Sequence, residues 1–108
     1  MEKIESKQHL HDVIENNDKD RLIIVKFSAK WCGPCRQMEK TIENIEKEDS
    51  NVKFYNIDVD ELPEIAEEYE IMNIPVLLYY KGPFQVDKTL GGLPENKLKE
   101  KITENNNK

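Results

Sequence analysis

The chain has 108 residues, 37% of them hydrophobic and 35% charged, with a net charge of −6. That length accommodates one domain with a genuine core and leaves no room for a second. The negative balance comes without a basic patch, which argues against nucleic acid and anionic membranes as partners, and no apolar run approaches a membrane span.

The predicted elements alternate between strand and helix. Lys3 to Glu5 reads as a weak first strand, and Ser6 is placed to cap a helix that carries Leu10, Val13 and Ile14 on one face. Arg21 to Ser28 is a continuous, β-branched apolar run of the kind buried on both faces of a sheet, which predicts a central strand. From Gly33 to about Asp49 the period turns helical, with Met38, Ile42 and Ile45 on one side. Val52 to Asp58 predicts a second inner strand, and Pro63 opens a short helix packed through Ile65, Ala66 and Tyr69. Pro75 introduces a strand over Val76 to Tyr80, which the turn Lys81 to Phe84 connects to a partner strand over Val86 to Leu90. Gly91 and Gly92 end that strand, a last amphipathic helix carries Leu98 and Ile102, and the tail over 104–108 is expected to fray. The early crossovers demand parallel strands and the closing hairpin an antiparallel pair. The predicted class is therefore α/β: one domain over 1–108, a central mixed β-sheet of about five strands flanked by about four helices.

Both cysteines of the chain lie in WCGPC, Trp31 to Cys35, at the junction of the central strand and the long helix. Cys32 is expected at the helix N-terminus with Cys35 one turn on, a spacing that brings the side-chain roots within disulfide range. A sulfur at that terminus faces unpaired backbone N–H groups and the positive end of the helix dipole, which favour the thiolate. Cys32 is thus the expected nucleophile, and Cys35, pointing into the fold, the thiol that closes the ring. Gly33 allows another chain to approach, and Pro34 stiffens a first-turn position where its missing N–H costs little. A structural zinc is the main competitor, but it needs four ligands and only His9 and His11 could complete the set. Residues two apart on a helix face different ways, so no metal is expected. Met38 and Met72 are expected to serve packing.

WCGPC after a buried strand, Ile74–Pro75 before a later strand and Gly91 after the last strand together resemble the thioredoxin family over almost the whole chain. The resemblance implies a thioredoxin fold and a protein dithiol–disulfide oxidoreductase acting through a reversible Cys32–Cys35 disulfide, with no other cofactor. It implies a cis bond at Ile74–Pro75, an Ile74 backbone free to pair with substrate, and a flat rim made of Trp31, Gly33, Pro34 and Gly91. The implied partners are disulfide-containing proteins and an NADPH-dependent, flavin-containing thioredoxin reductase. The domain is expected to be a monomer, and a cytoplasmic one because MEKIESKQHLHD contains no apolar signal region. The alternative is a non-catalytic, thioredoxin-like subunit that grips one partner through Trp31 and Ile74.

Three positions depart from the family pattern. Lys26 stands where a carboxylate is usual, Lys40 where a helix-kinking proline is usual, and Val76 where threonine is common after the proline; Phe54 fills a nearby site where the family sometimes has lysine. Lys40 predicts a long helix without a sharp bend. Lys26 is expected either to snorkel to the surface along its stem or to remain buried and tune the redox chemistry of the cysteines.

Overall fold

The computed structural model describes residues 1–108. Its nine elements are β1 (Glu2–Lys3), α1 (Lys7–Glu15), β2 (Leu22–Ser28), α2 (Gly33–Glu48), β3 (Lys53–Asp58), α3 (Pro63–Glu68), β4 (Val76–Lys81), β5 (Phe84–Leu90) and α4 (Glu95–Asn106). They form one five-stranded sheet in the order β1-β3-β2-β4-β5. β1, β3 and β2 are mutually parallel, while β4 runs antiparallel to β2 and β5 antiparallel to β4. The run Leu22–Ser28 is therefore the middle strand, and all seven of its residues are buried.

Because successive strand residues point to opposite faces, β2 feeds two cores. Ile23, Val25 and Phe27 join Leu10 of α1, Ile65 of α3 and Tyr55 and Ile57 of β3. Leu22 and Ile24 join Met38, Ile42 and Ile45 of α2, Leu98 and Ile102 of α4, and Leu77 and Tyr79 of β4. Each helix lies along the sheet through its apolar stripe, as its sequence period requires.

Local signals start these helices as expected. The Ser6 hydroxyl accepts the His9 amide at 3.0 Å and caps α1. Pro63 occupies the first turn of α3, where its missing N–H breaks no intrahelical bond. α2 runs unbroken from Gly33 to Glu48 through Lys40. Gly82, at φ +59, is the one turn glycine that packing demands: a Cβ there would stand 2.7 Å from the Lys19 Cα.

Most element ends agree with the sequence-based expectation to within one residue, and three differ by more. β1 is Glu2–Lys3 rather than Lys3–Glu5, with the Ile4 N–H extending the pairing to the Asn56 carbonyl at 2.8 Å. β5 begins at Phe84 because its pairing with β4 reaches Lys81. The expected fraying from residue 104 is not observed, since α4 continues to Asn106. Asn105 is fully buried and donates to the Asp87 carboxylate at 2.9 Å, and Lys81 Nζ donates to the Asn106 carbonyl at 2.6 Å. These tertiary bonds hold a segment whose composition alone would not stay helical.

Candidate active site

The site is assembled where β2 ends and α2 begins. After Ser28 the chain turns, with the Cys32 N–H donating to the Ala29 carbonyl at 3.1 Å. Cys32 has extended dihedrals (φ −84, ψ 109) and is the N-cap of α2, with Pro34 in the first turn. Its Sγ accepts the Cys35 N–H at 3.2 Å, the bond a serine or aspartate oxygen makes at an ordinary N-cap. The two cysteines form a disulfide with Cα atoms 5.3 Å apart. Both are enclosed, Cys32 at 4% exposure and Cys35 at 1%, and they pack with Ala29 against Val59 and Ile74. No group of three or more His, Cys, Asp or Glu side chains converges to hold a metal.

Below the disulfide lies Lys26. It is fully buried, and its Nζ donates to the Cys35 carbonyl at 2.9 Å. The snorkelling path is not taken, because α2 crosses above the strand and presents that carbonyl within reach. Burial pushes the Lys26 pKa below its ordinary value, and the Glu39 carboxylate opposes the shift. Beside it, Ser28 Oγ donates to Asn56 Oδ1 at 2.7 Å.

The rim residues expected from the sequence converge here. Ile74–Pro75 is a cis bond, and the Pro75 carbonyl accepts the Gly91 N–H at 2.8 Å, which brings the start of β4 and the end of β5 to the active-site end. Gly91 has φ +85, a conformation glycine adopts without strain. Gly92 neighbours Pro34: a Cβ there would lie 3.7 Å from the proline Cβ, an ordinary van der Waals contact. Trp31 is 68% exposed and its indole N–H donates to Asp60 Oδ2 at 2.9 Å. Asp58 holds the Asp60 loop, its Oδ1 accepting the amides of Asp60 and Glu61 at 2.8 and 3.2 Å.

Two features escaped the sequence reading. Asp60, which orients Trp31, lies in an acidic run that reads as solvated surface; the D-x-D spacing after a strand is the turn signal that could have singled it out. Met72, expected in packing, is instead 88% exposed. With Trp31, Val59, Ile71, Asn73 and Ile74 it lines an apolar groove of about 260 Å³ beside the disulfide. A larger hollow of about 620 Å³ lies at the other end of β2, lined by Asp18, Asp20, Arg21 and Lys81 among others. That hollow is polar and remote from the sulfurs, so the smaller groove is the one relevant to the chemistry.

The chain is similar to known proteins over most of its length. The family model described as Thioredoxin matches residues 2–104. The thioredoxin of Mycoplasmoides gallisepticum is 35% identical over 100 residues, covering 93% of this chain and 97% of that protein. Thioredoxin-2 of Saccharomyces cerevisiae is 39% identical over 75 residues, covering 69% of this chain and 72% of its own length. The crystal structure of Fasciola hepatica thioredoxin superposes with a TM-score of 0.87 at 38% identity, covering 96% of this chain and 98% of that one. A disulfide-forming pair at a helix N-terminus, on this fold and with these relatives, leads to one conclusion: the chain belongs to the thioredoxin family and is a dithiol–disulfide oxidoreductase that works through Cys32 and Cys35.

Proposed function

We propose that Cys32 is the attacking thiol and Cys35 the resolving one in the reduction of protein disulfides. The observation that carries this assignment is the N-cap position of Cys32, whose Sγ receives the Cys35 amide at 3.2 Å. A thiolate there is stabilised by that donor and by the positive end of the helix dipole. Cys35 lies deeper, a turn into the helix.

The Cys32 thiolate attacks one sulfur of a substrate disulfide, forming a mixed disulfide and expelling the other substrate sulfur as a thiolate that takes up a proton. Cys35 then loses its proton and its sulfur attacks Cys32 Sγ. The Cys32–Cys35 bond forms as the substrate bond breaks, and the second substrate sulfur leaves with the electron pair and is protonated. Two electrons pass to the substrate, and the protein ends as the disulfide.

The substrate lies as an extended segment across Trp31, Gly33, Pro34, Ile74, Pro75 and Gly91. Support comes from the exposed indole, the apolar groove beside it and the position of Ile74 outside β4, where its backbone is not part of the strand ladder. A flavin- and NADPH-dependent thioredoxin reductase restores the dithiol. The domain acts as a cytoplasmic monomer, a reducing setting in which a close cysteine pair serves reactivity rather than stapling.

The test is insulin reduction with paired variants. Cys35→Ser should accumulate a covalent complex with an insulin chain, visible by non-reducing electrophoresis. Cys32→Ser should form none and lose about a hundredfold or more of the activity. A Cys32→Ser protein as active as the wild type would overturn the roles and favour a partner-gripping subunit.

A further inference from the structure

One buried group near the disulfide has no part in the exchange as described. Lys26 is enclosed between Asn56 of β3 and Leu77 of β4, its register partners, and its hydrogen bond runs to the Cys35 carbonyl at 2.9 Å. Enclosing an ammonium is costly, and a methionine would fill similar space without that cost. The amine is directed at the backbone of the cysteine that must become a thiolate in the second step.

We propose that Lys26 is a positioning residue for the resolving step: it holds the first turn of α2 through the Cys35 carbonyl and, as the ammonium, supplies the counter-charge for the Cys35 thiolate. The inference rests on the assignment of Cys35 as the resolving thiol. In the mixed disulfide, the Cys35 proton passes to the amine if Lys26 is uncharged, or to solvent if it is already an ammonium. Either route ends in the same thiolate–ammonium pair. The thiolate electron pair then forms the bond to Cys32 Sγ while the substrate sulfur departs with the electrons of the broken bond. Closing the ring removes the negative charge and leaves Lys26 without a counter-ion, so the same amine favours the dithiol over the disulfide.

Few charged groups compete for it. Glu39, from α2, favours the ammonium. β3 contributes the neutral Asn56 and, at its end, Asp58, whose Oδ1 is engaged by the amides of Asp60 and Glu61. On β4, Leu77 is apolar and the Tyr79 hydroxyl is paired with Thr89 at 3.0 Å. On α4, the side chains in this core are the apolar Leu98 and Ile102. The lowered pKa of Lys26 brings its proton exchange closer to neutral pH.

The experiment follows reduced protein reacting with dithiobis(nitrobenzoate), whose two released thiolates report attack by Cys32 and resolution by Cys35 in turn. Near neutral pH, Lys26→Met should slow the second release about tenfold and leave the first within about twofold. Lys26→Gln keeps a donor for the Cys35 carbonyl without the charge, so its second release should fall between those of Lys26→Met and the wild type. Glutathione titration should place the potential of both variants about 30 mV below the wild type, which is a tenfold shift in the two-electron equilibrium. The proposal is overturned by a second release within about twofold of wild type in Lys26→Met, by wild-type resolution in Lys26→Gln, or by unchanged potentials in both. If Cys35→Ser fails to accumulate the mixed disulfide, the assignment of roles has failed instead; if it does accumulate and the Lys26 variants match wild type, only the part given to Lys26 fails.

Discussion

The two faces of β2 are equally buried and chemically different. Toward α1 and α3 the strand presents Ile23, Val25 and Phe27, all at 2% exposure or less and all apolar. Toward α2 and α4 it presents Leu22 and Ile24 and then Lys26 and Ser28, at 0% and 5% exposure. Polarity on the second face does not follow solvent; it increases along the strand toward the disulfide. A core position can hold an amine or hydroxyl where a backbone carbonyl or amide oxygen is presented to it, as Cys35 and Asn56 do here. The first face packs against aliphatic side chains and the rings of Tyr55, Tyr69 and Tyr80.

The sharpest way to break this comparison is to move the charge across the strand. Val25→Lys would bury an ammonium among Ile23, Phe27, Ile57 and Leu78. It should cost on the order of 4 kcal/mol or more, enough to threaten folding, as read by urea denaturation. A variant within about 1 kcal/mol of wild type would show that the faces do not differ in their tolerance of charge.

Next in size is Phe27→Ala, which empties volume on the apolar face, where the ring lies 5.8 Å from that of Tyr69. About 3 kcal/mol of destabilisation is expected, with insulin reduction retained in the folded fraction. Loss of activity in fully folded protein would mean that this face also shapes the site.

The smallest effect carries the opposite sign. Lys26→Met should raise stability by about 1 kcal/mol near neutral pH, because it removes a buried charge with no partnering carboxylate. The sign of its pH dependence follows from the lowered pKa of Lys26, whose ordinary value is 10.5. Between the folded-state pKa and 10.5 the unfolded chain binds more protons than the folded one, so wild-type stability from this group rises with pH across that window. The penalty is present in full below the window and gone above it. The advantage of Lys26→Met should therefore be largest near neutrality and shrink as pH approaches 10.5, as urea midpoints across that range would reveal. A constant or growing advantage would place the ammonium in a solvated setting and remove the contrast between the faces.

Much of this architecture was legible because its causes are local. The apolar run at Leu22–Ser28, the Ser6 cap and the proline that opens α3 each act within a few residues of themselves, and each produced the predicted element. The cysteine pair belongs to the same class: spacing and position at a strand-to-helix junction place Cys32 at the N-cap with a backbone donor on its sulfur. The end of α4 was not legible, because its order depends on Asp87, a residue of another element. Met72 was misread for a related reason, since its exposure depends on how the loop before the cis-proline meets Trp31.

Lys26 marks the boundary between the two kinds of information. Alternation along a strand determined by itself that this side chain shares a face with Ile24 and Ser28 and points beneath the active-site helix. Whether the amine would escape along its stem or stay inside was decided by tertiary structure, through the crossing of α2 over β2 and the Cys35 carbonyl it delivers 2.9 Å from the nitrogen. A one-dimensional pattern specifies the direction of a side chain. Only packing specifies which polar atom waits there, and for a charge held away from water that partner sets the balance between burial and escape.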